Sequence, residues 1–325
     1  MTGFPWHANV RTKMLSVIEQ GQLTHAWMVC GSNGTGRELF AIDLAKYLLC
    51  EQPSAHAACG NCQSCHWFDA ETHPDKVVIR PEAAGKAIKV DQIRDLIERL
   101  SFTASGRNGR RVVIISPAEA MNRQAANSLL KSLEEPPENT YFFLISSELS
   151  ALPATIRSRC QWLNLPSPNV QQASEWLAQT CGPSPDNAIA LEMTDNAPLA
   201  ALVLRESGAI PIYQQLFDEF IQAGSGPHTA THLADQWLKQ EQYMPINWML
   251  RWLSVLIKLK QSGGVNDSPF FQDSKRLETL VTVLTLKQLF RFYDDAVEAN
   301  RLWSAPLNRR LQLESLFTKW LALFQ

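Results

Sequence analysis

Along the first half of the chain, short near-continuous apolar runs alternate with stretches whose apolar positions recur every three or four residues. The runs are Ala26 to Cys30 (AWMVC), Lys76 to Ile79, Arg111 to Ile115 (RVVII) and Tyr141 to Ile145 (YFFLI). Such short continuous apolarity predicts strands covered on both faces, as in a parallel sheet. The periodic stretches predict helices. One is Asn9 to Gln20, with Asn9 as cap and Val10, Met14, Val17 and Ile18 on one face. Others are Arg37 to Cys50, an Asp-capped Asp91 to Leu100, and a helix ending at Glu135, since Pro136 and Pro137 cannot continue it. This β–α–β rhythm implies helices packed on both faces of the sheet.

The pattern changes near Pro166 and Pro168, beyond which no strand is predicted. Three short helical segments run to about Glu206. Longer ones follow at Ile212 to Gln222, Ala230 to Gln240, Ile246 to Gln261, Leu286 to Ala299 and Leu307 to Leu323. Gly208 and Pro211 mark a second break, and Gly263 to Pro269 reads as a loop. The expected fold class is therefore α/β followed by all-α, with domains at 1–165, 166–208 and 209–325.

Composition narrows the function. Apolar residues make up 45% and charged residues 19% of 325 positions, which supports real cores. A net charge of −2 is unlike that of a protein gripping duplex DNA alone, so any nucleic-acid contact should be local or shared. The apolar runs are of strand length, so no membrane span is expected, and the N-terminus lacks the apolar core of a secretory signal. Seven cysteines, four of them within Cys50 to Cys65, suit a reducing, cytoplasmic compartment with one metal site.

Gly31 to Glu38 (GSNGTGRE) lies between a predicted strand and a predicted helix, the setting of a phosphate loop of pattern G-x-x-x-x-G-K-[ST]. Gly31, Gly34 and Gly36 suit backbone amides facing phosphate. Arg37 stands in place of the lysine, and Glu38 replaces the hydroxyl that would bind Mg²⁺ and adds a charge repelling phosphate. Taken alone, the segment is equally an ordinary strand-to-helix turn. After RVVII the acids needed for Mg²⁺ and water activation are missing: Ser116 and Pro117 follow, with Glu119 and Glu134 the nearest carboxylates. Losses in both motifs predict no ATP hydrolysis here.

Cys50, Cys59, Cys62 and Cys65 form C-x8-C-x2-C-x2-C. Four thiolates can close a tetrahedral Zn²⁺ shell that leaves no place for substrate, a structural role. An iron–sulfur motif would continue with cysteine where Asp69 stands. Unmetallated thiols are the other alternative, and His56, His66 and His73 are competing ligands, although His73 before Pro74 also suits a turn. Glu51 to Asp69 holds no Arg or Lys, which favours scaffolding over nucleic-acid reading. Cys30, Cys160 and Cys181 read as small buried residues.

Val112 to Pro137, containing LLKSLEEPP, and Phe142 to Cys160, ending in ATIRSRC, closely resemble the bacterial replicative clamp-loader subunits of DNA polymerase III, an AAA+ family. The resemblance is strong over about the first half of the chain and rests only on order and length in the helical remainder. It implies a RecA-like AAA+ domain with an inserted zinc module, a helical lid and a helical collar. Ser158, Arg159 and Cys160 match the family's Ser-Arg-Cys motif, whose arginine reaches the γ-phosphate of ATP on the next subunit. From the residues alone, Arg159 reads as a surface arginine in an ion pair; only the resemblance favours the finger, with Arg157 its close rival. The family's sensor position falls at Ser146 and Ser147, and its lid arginine falls near Leu199 and is absent. Leu129, Leu130 and Leu133 read as core, and Lys131, Glu134 and Glu135 as a solvated face. The resemblance implies a non-hydrolysing subunit of the polymerase holoenzyme with structural Zn²⁺. Its partners would be gamma/tau-type and delta-type subunits in a heteropentamer that places a sliding clamp on primed DNA. An autonomous ATPase using Arg37 and a zinc-dependent nucleic-acid-binding protein are the rival readings.

Overall fold

The computed structural model describes residues 3–54, 56–83, 85–222, 229–241, 245–262, 280–305 and 307–324. The loop expected at Gly263 to Pro269 lies outside these residues. The chain divides into two compact units between Gln172 and Ala173.

In the first unit five strands form one sheet in the order β2-β3-β4-β1-β5. They are β1 (Ala26–Cys30), β2 (Lys76–Ile79), β3 (Arg111–Ile115), β4 (Thr140–Ser146) and β5 (Gln161–Asn164). Every pairing is parallel. The first-half helices are α1 (Ala8–Glu19), α2 (Arg37–Leu49), α3 (Gln63–Asp69), α4 (Val90–Leu100), α5 (Arg123–Glu134) and α6 (Ala154–Arg157). β1 and β3 are buried at every position, as the near-continuous apolar runs predict. Alternate residues serve opposite faces. Met28, Val113, Phe142 and Leu144 meet Ile93, Leu96, Ala125 and Leu129 of α4 and α5. Trp27, Val29, Ile114 and Phe143 meet Met14, Leu15, Phe40 and Leu44 of α1 and α2. The layers are thus helices, sheet, helices.

Two expected helix caps need correcting, and one strand was not expected. Asn9 does not cap α1; the N-cap is His7, with no side-chain bond. Asp91 lies inside the first turn of α4, where Gln92 Oε1 accepts the Lys89 N–H at 3.0 Å. The edge strand β5 has no apolar run because it is mostly exposed, and Trp162 on it is 52% accessible.

The second unit contains only helices among its described residues. They are α7 (Val170–Cys181, which begins just before the division), α8 (Pro185–Met193), α9 (Pro198–Glu206), α10 (Ala209–Gln222), α11 (Ala230–Leu238), α12 (Pro245–Ser262), α13 (Leu286–Arg301) and α14 (Arg309–Leu321). Residues from all eight enter one apolar cluster. Thr285 and Gln288 make a reciprocal capping box at the start of α13. Trp320 lies at the cluster's centre, stacked on Phe220 with ring centroids 4.2 Å apart and 4.8 Å from Phe292. Its indole N–H donates to the Phe220 carbonyl at 3.0 Å. Cys181 is half-buried rather than buried, with its thiol bonded to the Leu177 carbonyl.

Trp320→Ala is expected to destabilise the helical unit by about 3–5 kcal/mol, the loss typical of emptying a buried aromatic site. Urea unfolding monitored by circular dichroism would measure it; a loss below about 1 kcal/mol would mean the cluster repacks around the vacancy.

Candidate functional site

Ligands of open parallel sheets bind beyond the carboxyl ends of the strands. There β1 runs into Gly31–Glu38, and α2 begins at Arg37 with Gly36 as its left-handed N-cap, φ 95°. Gly36 cannot be replaced without rearrangement, because an added Cβ would lie 2.2 Å from a ring carbon of Phe4. The segment before α1 thus covers the loop. Phe4 stacks on Trp6 with centroids 4.9 Å apart, and the Trp6 indole N–H donates to the Thr35 carbonyl at 2.9 Å. His7 packs edge-on against Phe4 and Phe40, and burial pushes its pKa down to about 4, which keeps it neutral.

The two departures from the phosphate-loop pattern have partners within the chain. The Arg37 guanidinium donates to Asn33 Oδ1. Glu38 accepts from Arg80, with Nε at 3.0 Å, and from Ser116 Oγ at 2.6 Å. Arg80 follows β2 and Ser116 follows β3, so Glu38 joins α2 to two strand tips. Glu119, one of the acids passed over at the strand end, folds back toward the loop. Its Oε1 accepts the Ser147 N–H at 3.0 Å and the Ser147 hydroxyl at 2.6 Å. Its charge favours the charged form of Arg37, while burial pulls the Arg37 pKa down. Ser146 Oγ accepts the Glu148 N–H at 3.2 Å. Two arginines and two carboxylates therefore face one another where a phosphate loop keeps an excess of positive charge. Arg80 escaped sequence reasoning, although it directly follows a predicted strand and so had a usable signal; Glu119 was considered only as a missing Mg²⁺ ligand.

Arg159 lies on the other side of the sheet. It precedes β5, and in a parallel sheet the residues before a strand sit at the edge opposite the phosphate loop. Its Nε donates to Glu134 Oε1 at 2.7 Å and its Nη2 also pairs with Glu134. Its Nη1 donates to the Thr155 carbonyl at 2.8 Å and reaches Ser158 Oγ at 3.3 Å. Arg159 is about one-third exposed, and its neighbour Cys160 is buried, with a thiol pKa pushed up to about 12 by burial. Thus the three residues of the Ser-Arg-Cys motif divide: Cys160 is core, and Arg159 reaches the surface beside Ser158.

The sulfurs of Cys50, Cys59, Cys62 and Cys65 all lie within 4.8 Å of one another. The Cys50–Cys62 and Cys59–Cys65 separations are both 4.0 Å. Zn–S bonds of about 2.3 Å in a tetrahedron put sulfurs about 3.8 Å apart, so the set fits such an ion. The amides of Cys59, Cys62 and Cys65 donate to the sulfurs of Cys50, Cys59 and Cys62 at 3.2–3.4 Å. Amides of Asn61 and Cys62 pull the Cys59 thiol pKa down to about 6, while burial pushes Cys50 and Cys65 up. Holding all four as thiolates therefore calls for a cation among them.

Two of the three candidate histidine ligands, His56 and His73, are engaged elsewhere. His56 pairs with Glu19 at 3.1 Å. His73 is buried, accepts the Asp75 N–H on Nδ1 at 3.1 Å and lies 2.7 Å from Ser64 Oγ through Nε2. The amide contact fixes the proton on Nε2, so His73 donates to Ser64, and Ser64 in turn donates to the Leu49 carbonyl at 2.5 Å. A base would need the opposite tautomer; this Ser–His pair is a brace between the cysteine module and the sheet.

A parallel sheet in the order β2-β3-β4-β1-β5 with a glycine loop at its carboxyl edge, followed by a unit that is helical among its described residues, has the RecA-like AAA+ architecture. Residues 6–169 match the family model described as "DNA polymerase III, delta subunit", and residues 208–322 match its C-terminal counterpart. The chain is 33% identical over 324 residues to DNA polymerase III subunit delta' of Pseudomonas aeruginosa, covering 98% of each protein. It is 37% identical over 205 residues to the Escherichia coli subunit delta', covering 63% of this chain and 61% of that one. The fold is that of a DNA polymerase III gamma subunit-related protein of Thermotoga maritima, with TM-score 0.50 and 20% identity over 97% of this chain and 99% of the other. This chain belongs to the DNA polymerase III delta' subunit family.

Elemental analysis of the purified chain is expected to find about one zinc ion, as a closed four-cysteine shell requires. Cys59→Ser should loosen that ion and lower the unfolding midpoint of the first unit. Iron in place of zinc, or no metal after purification without chelator, would refute this reading of the cysteines.

Proposed function

We propose that this chain is the delta'-type subunit of a cytoplasmic DNA polymerase III clamp loader, that it hydrolyses no ATP itself, and that it supplies Arg159 to a neighbour's ATP. The observation that carries the reading is the position of Arg159: on the edge of the sheet opposite its own glycine loop and partly exposed, where another chain could reach it, although within this chain it pairs with Glu134. A guanidinium supplied in trans offsets charge building on the transferred phosphoryl group. Its planar fork suits phosphate better than a lysine does. The silent site is supported by the pairing of Glu38, which stands where the Mg²⁺-binding hydroxyl would be, with Arg80 and Ser116. Glu119 is likewise held by Ser147 and faces Arg37.

In this reading residues 166–208 act as the lid and 209–325 as the collar that joins gamma/tau-type and delta-type subunits. The four cysteines carry structural Zn²⁺, and Gly31, Gly34, Gly36 and Arg37 are a loop without catalytic use. The complex, rather than this chain alone, would meet the sliding clamp and primed DNA. No helix among the described residues is long and apolar enough to cross a membrane.

The isolated chain should turn over no ATP above background. Mg²⁺-dependent turnover that disappears in Arg37→Ala would instead mean an autonomous ATPase, and tight, salt-sensitive DNA binding by the chain alone would favour a nucleic-acid-binding protein.

In the reconstituted complex Arg159→Ala should leave assembly intact and lower the rate at one ATP site by roughly 10³–10⁵, the loss typical of a missing arginine finger. Total ATPase would fall only in part, because other interfaces keep their own arginines. Arg159→Lys should rescue poorly and Arg157→Ala should matter less. Unchanged DNA-stimulated ATPase and clamp loading with Arg159→Ala would leave this chain a scaffold only.

A further inference from the structure

The surroundings of Arg159 suggest how such a finger is controlled, an inference that rests on the in-trans reading above. A guanidinium carries five N–H donors. Here the Nε–H and one Nη2–H go to Glu134, and the two Nη1–H groups go to the Thr155 carbonyl and the Ser158 hydroxyl. One N–H is left. A fork-like grip on phosphate takes two parallel donors. In this pose Arg159 cannot grip phosphate without giving up a partner, and its shared carboxylate also cancels much of the positive charge it would bring.

Glu134 stands in an unusual place for an acid. It is the last residue of α5, where the unpaired carbonyls already gather partial negative charge. Arg159 relieves that repulsion, and through Thr155 it also meets the carbonyl end of α6. Glu134 is half-exposed, so water and an incoming anion can both reach the pair. An exposed ion pair is weak enough to exchange, and a triphosphate carries more charge than a carboxylate with which to displace it.

We infer that Glu134 holds Arg159 retracted on this chain's own surface, and that the arginine reaches the neighbouring ATP only by exchanging Glu134 for its phosphate. Glu134 is then a positioning residue that restrains the finger. The LLKSLEEPP segment accordingly contains, besides core leucines, the counter-ion of the Ser-Arg-Cys arginine.

The test uses the assembled complex carrying Glu134→Gln, which keeps the shape and removes the charge. ATPase is measured against ATP concentration with and without primed DNA. Without DNA the rate should rise roughly 1.5- to 5-fold, the ratio expected from losing one exposed ion pair. The rise should be absent in Glu134→Gln combined with Arg159→Ala, which a purely structural role for Glu134 would not predict. Unfolding midpoints of wild type and Glu134→Gln should agree, since neither side chain belongs to the core. An unchanged rate would make the pair an ordinary surface contact and overturn the inference. A fall matching that of Arg159→Ala would also overturn it, because Glu134 would then be holding the finger in its active pose. If Arg159→Ala alone leaves ATPase intact, the in-trans reading itself fails; if Arg159→Ala lowers it and Glu134→Gln does not raise it, only the restraint fails.

Discussion

All five strands hydrogen-bond in the same sense, so one edge of the sheet holds only strand ends and the other only strand starts. Each connecting helix then begins near the first edge and finishes near the second. Helix N-termini carry partial positive charge and C-termini partial negative charge. The two edges are therefore opposite in electrostatic character before any side chain is considered. Charges fall accordingly. Glu38 lies in the first turn of α2 at the carboxyl edge, and Arg159 lies among the carbonyl ends of α5 and α6 at the amino edge.

Seen this way, the altered phosphate loop has exchanged one source of negative charge for another. A nucleotide would bring phosphate to the N-terminus of α2; this chain brings the carboxylate of Glu38 instead and ties it to Arg80 and Ser116. Arg80 is 55% and Glu38 32% exposed at the side chain, so the pair adds at most about 1 kcal/mol to stability. The first turn of α2 thus already holds an anion, and the cover of Phe4 and Trp6 over Gly36 and Thr35 fills space beside the loop.

The sheet was legible because its central strands are nearly continuously apolar, which burial on both faces explains. The edge strand β5 was not, because Gln161, Trp162 and Asn164 are exposed and leave no periodic trace. Local spacing pointed to the cysteine set, since its four residues fall within one short loop and helix. Long-range pairs left no such mark. Glu38 with Arg80 is separated by 42 residues and Arg159 with Glu134 by 25, and only the fold brings them together. The capping of α1 by Asn9 failed for a different reason: His7 precedes the helix within a turn already fixed by the packing of Trp6 and Phe40, so no side-chain cap was needed.

The separation of the two edges also means that substitutions at one need not disturb the side chains at the other. β4 runs seven residues from Thr140 to Ser146, about 23 Å at the usual rise for a strand. Substitutions farther apart than about 10 Å, with no shared partners, usually act independently. Arg37, Glu38 and Glu119 share no hydrogen-bond partner with Arg159, whose contacts are Glu134, Thr155 and Ser158. What connects the two edges is the buried backbone of the strands, and neither set of side chains supplies it. Substitutions in the glycine loop can therefore leave Arg159 in place, provided the strands between them stay packed.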